Sequence, residues 1–317
     1  MSRLQNVNIT AQDTASVDAF GRWRTSCPFT LFDSKQVFDN QPLFWDESLE
    51  AGAGITSSHS TDEAATTITS TLNTAGTFTR QTFMTFNYQP GKSQQILMTG
   101  VLDNSGGGTG VERRIGQFDD NNGIFFEDDA GTIGVTLRSS VSGSPVDTTV
   151  AQASWNIDPL DGTGPSGVTL DPATAQIFVF DYEWLGVGRV RMGIFIAGQF
   201  VPVHQFLNAN IGTDVYMSTP NLPLRYQMIT TASSPASSMK AICSSVVSEG
   251  GVGNNGILRY ASTAGTHVDA NVENTVYAII GIRLKAAYIG ESVRVERTGI
   301  QIQNGGNVGE WLFCIYH

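Results

Sequence analysis

Charge is scarce in this chain. Charged side chains make up 15% of its 317 residues, against about 25% in an ordinary soluble domain. What charge there is leans acidic, with 29 Asp and Glu to 18 Lys and Arg. A net charge of −11 repels phosphate backbones and anionic lipid, which argues against a nucleic-acid or membrane partner. Cysteine is nearly absent. Cys27, Cys243 and Cys314 lie far apart without a Cys-x-x-Cys pair, so we expect buried free thiols. No run approaches the roughly 18 apolar residues of a membrane span. The opening MSRLQNVNITAQDTASVDAF lacks the basic start and apolar centre of a leader, so the expectation is synthesis and folding in a cytoplasm. His59, His204, His267 and His317 show no paired-ligand spacing, which predicts no transition metal. There is no Gly-x-Ser-x-Gly elbow, and the glycines at 106–110 precede no Lys-Ser/Thr. Serine-hydrolase and phosphate-loop chemistry lack an anchor, and no cofactor is expected.

Glycine (34 residues), Ser, Thr and Asn fill the space that charge leaves. That mixture is poor in helix formers and rich in turn and β-branched residues, so it predicts an all-β protein. Strand signals recur from residue 66 onward: TTITSTLNT, RQTFMTFNY, QQILMTGVLD, RRIGQF, GIFFED, GTIGVTLRSS, TTVAQASWNI and TAQIFVFDYEW. RVRMGIFI and QFVPVHQF follow, joined by Ala197-Gly198, and an Asn122-Gly123 pair leads from RRIGQF into GIFFED. Both pairs fit hairpin turns with positive φ. LRYQMIT, SSMKAICSSVVSE, NTVYAIIGIRLK, VRVERTGIQIQ and EWLFCIYH close the series. A dozen or so short strands at this spacing imply a jelly-roll-like β-sandwich. We expect it to occupy residues 49–317, behind an extended arm at 1–48.

Chemistry-bearing groups are few. The acidic stretch from Asp119 to Asp129 fails the EF-hand pattern, because Phe118 stands where the first ligand must be, and reads as a solvated hairpin tip. Asp158 and Asp161 in a Gly-rich loop are weak candidates for oxygen ligation. Asp181 and Glu183 in IFVFDYEW share one strand face, as paired carboxylates must. Trp184 falls on the other face. The candidate role for Asp181 and Glu183 is sugar contact rather than catalysis. Arg22, Arg24, Arg113, Arg114, Arg189 and Arg191 are expected to pair with local carboxylates at a surface or interface.

Between the polar first 19 residues and the strands lies an irregular aromatic stretch: Phe20, Trp23, Phe29, Phe32, Phe38, Phe44 and Trp45. Neither helix nor strand periodicity buries them on one face, so they are expected to dock on a partner, with Arg22 and Arg24 among them. Val17-Asp-Ala-Phe-Gly-Arg-Trp-Arg-Thr-Ser-Cys-Pro-Phe-Thr-Leu-Phe-Asp-Ser-Lys35 resembles an N-terminal signature of structural proteins of tailed bacteriophages. The segment from Phe180 to Gly193 resembles strands of concanavalin-like jelly-roll sandwiches. The resemblance implies a non-enzymatic virion component: a capsid decoration protein, or part of a fibre, tail or neck. Its partners would be other virion proteins and copies of itself, a trimer being the first expectation. The alternative is a host-attachment adhesin that binds a surface glycan.

Overall fold

The structure, a computed structural model, describes residues 17–24, 27–102, 108–250 and scattered positions between 260 and 295. The described chain forms fifteen strands and no α-helix. In chain order these are β1 (Pro28–Lys35), β2 (Trp45–Gly52), β3 (Ile55–Ser60), β4 (Ala65–Ser70), β5 (Gly76–Thr82), β6 (Gln94–Val101), β7 (Val111–Phe118) and β8 (Gly123–Asp129). There follow β9 (Thr132–Ser139), β10 (Val146–Ala151), β11 (Gln176–Tyr182), β12 (Val190–Ile196), β13 (Gln199–Phe206), β14 (Leu224–Thr230) and β15 (Ser237–Glu249). All pairings are antiparallel.

Two sheets make an all-β, jelly-roll-like sandwich. One runs β13-β12-β11-β6-β15-β4-β3, with β1 added as an eighth strand on β15. The other runs β10-β9-β8-β7-β14-β5-β2. The long β15 serves two partners along one edge, β4 through Ser237–Ala241 and β1 through Cys243–Glu249. Alternation then decides each face. Phe178, Phe180 and Tyr182 of β11 point between the sheets, where the Phe126 ring of β8 lies 5.1 Å from Phe178 and 5.6 Å from Phe180, and Tyr182 stacks on Tyr88. The filling is not purely apolar. Arg113 is fully buried between the sheets, paired with Asp128, and Arg80 is equally buried, paired with Glu47.

The β12–β13 hairpin forms as its sequence dictates, with Ala197 (φ 51°) and Gly198 (φ 77°) both left-handed. Three expectations need correction. Asn122-Gly123 is not a two-residue turn: the connection spans residues 119–122, nucleated by Asp119, whose carboxylate accepts from the amides of Asn121 and Asn122. RQTFMTFNY is not one strand. The Thr82 hydroxyl donates to the Met84 carbonyl and accepts from the Leu224 amide. These side-chain bonds replace the ladder, β5 stops at Thr82, and the chain rejoins only at the Phe86–Leu222 bridge. Finally, β1 and the start of β2 lie inside the stretch read as an arm, and both are integral to the sheets. At the other end, Tyr277 to Arg283 carry no strand. VRVERTGIQIQ lies almost wholly, and EWLFCIYH wholly, outside the described residues, as do Cys314, His267 and His317. Of the other cysteines, Cys243 is half-buried, but Cys27 is exposed rather than buried, because it precedes β1 on the rim.

Candidate functional site

Residues 17–24 cross the outer face of the eight-stranded sheet, and three arginines fasten them there. Arg191 on β12 donates to the Val17 carbonyl and to Asp181. Arg189 donates to the carbonyls of Ala19 and Asp18, both at 3.1 Å. Arg24, from the crossing segment itself, reaches Asp181 at 2.6 Å and also pairs with Glu249. Ser93 adds a bond to Asp181 at 2.7 Å. Asp18 closes the crossing locally by accepting from the Phe20 and Arg22 amides and from Arg22 Nε at 2.8 Å. Arg191 and Arg24 are thereby matched by Asp181 and Glu249, as buried charge requires.

This clasp corrects the sugar-contact expectation. Alternation does put Asp181 on an outer face, but the N-terminal segment covers that face and leaves the residue 1% exposed. Glu183 lies just past the end of β11, where its amide bonds to the Arg189 carbonyl. Burial is the main cause that pushes its carboxyl up to about 6; the amide of Arg189 opposes this and the charge of Asp18 adds to it. Trp184 packs edge-on against Tyr88 and donates to the Met217 carbonyl. Asp181 is ion-paired beneath the N-terminal segment while Glu183 sits in a separate turn, so the two carboxylates do not share one open face.

The aromatic stretch divides in two. Phe32 and Trp45 belong to the core of their own domain, which corrects their assignment as partner anchors. The ring of Phe32 lies 5.3 Å from Phe86, and Trp45 donates to Ser34 beneath the guanidinium of Arg80. Arg24 is likewise held in cis, and Arg22 folds back over the half-buried Phe20 ring. Trp23, Phe29, Phe38 and Phe44 remain exposed. Phe38, Leu43 and Phe44 occupy the β1–β2 connection, with Phe38 and Leu43 at 86% and 87% exposure. The Phe83 amide bonds to the Phe44 carbonyl, which brings exposed Phe83 and Met84 alongside. Leu43, Phe83 and Met84 escaped the sequence reading, the last two because they were placed within a continuous strand.

A second feature went unread: a cleft of about 300 Å³ on the outer face of the seven-stranded sheet. Its walls are Arg114 on β7, Arg138 on β9, Asp147 on β10, and Gln227 and Ile229 on β14, with Asp120 from the β7–β8 connection. The guanidinium groups of Arg114 and Arg138 lie 5.2 and 5.3 Å from the centre of the fully buried Phe125 ring, and Arg225 lies 5.2 Å from Phe118. Arg138 grips Asp147 with two bonds of 2.8 Å. Arg114 holds Glu112 at 2.6 Å and Gln227 at 3.1 Å, and Arg225 holds Asp120 at 2.6 Å. Burial works against the Asp147 anion, yet the bonds and charge of Arg138 hold its carboxyl below the ordinary value. Glu112 is pushed up by burial and by Glu127 and Asp129, against the pull of Arg114.

No protein-family model and no curated protein sequence matches the chain. Solved structures do align. An endo-1,3-β-glucanase from Streptomyces sioyaensis is 11% identical, covering 70% of this chain and 96% of its own, with a TM-score of 0.46. The CBM2 module of the Lactobacillus casei BL23 phage J-1 evolved Dit is 9% identical over 69% and 95%, with a TM-score of 0.42. Lectin UEA-II, complexed with galactose, is 12% identical over 69% and 98%, with a TM-score of 0.41. The likeness is one of fold. The residues of the clasp and the cleft therefore stand on their own geometry. In the sequence, the only trace of the cleft was the Glu112-Arg113-Arg114 run, whose alternation sends Arg113 inward and its neighbours outward.

Proposed function

We propose that this chain is a non-enzymatic structural protein of a tailed-bacteriophage virion, a decoration, fibre or tail component that assembles as a symmetric homo-oligomer. The observation that carries the reading is the division of labour within the Val17–Lys35 signature and the residues after it. The signature's Arg24 pairs with Asp181 of the sandwich, and Arg191 of β12 in turn holds the Val17 carbonyl, so the segment is locked in place. The β1–β2 connection that follows then presents Phe38, Leu43 and Phe44 to solvent, beside Phe83 and Met84. Large apolar side chains held on a rigid frame lose little entropy when a partner covers them. Asp39 and Asp46 flank this surface in sequence and are exposed, so the complementary virion protein offers an apolar groove with a basic rim.

The test is incorporation. Phe38→Ser and Leu43→Ser change exposed residues, so stability should hold to within about 0.5 kcal/mol, while the double variant should be lost from washed particles. Full incorporation of that variant would remove the surface from the proposal, and absence of the unmutated chain from washed virions would end the virion reading.

Host attachment through a glycan is the second reading. Asp181 and Glu183 do not support it, and its observation is instead the polar cleft of the seven-stranded sheet. Among the described residues no helix is long and apolar enough to cross a membrane.

A further inference from the structure

We propose that the cleft formed by Arg114, Arg138, Asp147 and Gln227 binds a neutral oligosaccharide. The inference rests on the attachment reading and specifies its site and ligand chemistry. The volume of about 300 Å³ is at the lower end of the roughly 300–1,000 Å³ of small-molecule sites. It admits a short saccharide segment, not a protein domain.

The polar groups of the cleft are set before any ligand arrives. Phe125 supports two guanidinium planes and Phe118 a third. Gln227 in the lining, and Arg225 and Glu127 behind it, are each more than nine-tenths buried, so their positions are dictated by packing. Such preorganisation removes much of the ordering cost of binding. The bonds of Arg114 to Glu112 and Gln227, and of Arg138 to Asp147 and the Asp119 carbonyl, leave further N–H donors on the two guanidinium groups that line the cleft. Neighbouring carboxylates retain lone pairs to accept from hydroxyls. Adjacent hydroxyls of a sugar ring can therefore donate to a carboxylate and accept from a guanidinium together. Ile229 and Pro145 line the cleft as apolar contacts for the ring's C–H face.

Charge selects against acidic sugars. Arg114, Arg138 and Arg225 are outnumbered by Glu112, Glu127, Asp120 and Asp147 in this network. The chain as a whole carries −11. A uronate or sialylated chain would approach an acidic surface whose arginines are already paired, whereas a neutral ring brings no charge to repel.

The experiment titrates the full chain by calorimetry with malto-, cello-, laminari- and galacto-hexaose, and with hexagalacturonate as the anionic probe. At least one neutral probe should bind, and binding should weaken at least tenfold in Asp147→Asn and in Arg138→Lys, with circular dichroism checking that each variant folds. Gln227→Ala gives the same readout if either variant fails to fold. Three results would overturn the proposal: no neutral probe binds, hexagalacturonate binds in preference, or neutral binding survives the substitutions. The virion reading is scored separately, by the presence of the unmutated chain in washed particles, so either reading can fail alone.

Discussion

At Asp181, two guanidinium groups and a serine hydroxyl converge on one buried carboxylate. Removing it would take one shared carboxylate from Arg191 and Arg24, leaving Arg24 with Glu249. Asp181→Ala should therefore destabilise by about 3–5 kcal/mol, the range for a buried ion pair that loses one partner, and urea unfolding would measure it. An unchanged midpoint would mean the clasp adds nothing. Glu183 makes the opposite case. Its carboxyl is raised from an ordinary 4.5 to about 6, so the folded chain holds the proton more tightly than the unfolded chain. Stability from this group is full below pH 4.5 and lost as pH rises through about 6. Glu183→Gln abolishes that step and should gain up to about 1 kcal/mol at pH 7, since solvent screens a half-exposed group. Unfolding curves at pH 4, 5 and 7 would test it, and parallel pH dependence in both proteins would refute it.

Among elements, the N-terminal region combines a removable clasp with two indispensable strands. Deleting residues 1–24 should leave the sheets formed but lower the urea midpoint, because the bonds from Arg189 and Arg191 to the carbonyls of Val17, Asp18 and Ala19 are lost. Deleting 1–48 should prevent folding, because β1 closes the Cys243–Glu249 half of β15 and Phe32 leaves the core. Limited proteolysis and circular dichroism separate the two outcomes. The β12–β13 hairpin offers a sharper test at Gly198, whose φ of 77° disfavours a side chain. Gly198→Val should cost about 1–2 kcal/mol, although nothing stands within 4 Å of the added Cβ. The cost would be backbone strain alone.

For the whole molecule, the two sheets present different outer faces. One is crossed by its own N-terminal segment over Asp181 and Arg191, and the other is an open network of arginines and carboxylates. The far-ultraviolet circular dichroism of the full chain should be dominated by β-structure, and sedimentation should report a closed oligomer. A strictly monomeric chain would contradict the assembly proposed here.

The all-β class, the Ala197-Gly198 hairpin and most of the strands from β6 to β15 were legible in the sequence, because period-two alternation and turn chemistry are local properties. The pairing of arginines with carboxylates was legible too, but not its place: Arg113 and Arg191, expected at a surface or interface, are fully buried with Asp128 and Asp181. The fate of particular side chains was not. Phe32 and Phe38 are six residues apart in one aromatic stretch, yet one is 5% exposed and the other 86%, because only one lies on a strand against the second sheet. Asp181 followed the alternation rule and was still buried, because what covers it arrives from more than 150 residues away. The cleft has the same origin: Arg114, Arg138, Asp147 and Gln227 stand on four strands that become neighbours only when the sheet closes. Alternation decides which way a side chain points, but the long-range pairing of strands decides what it meets.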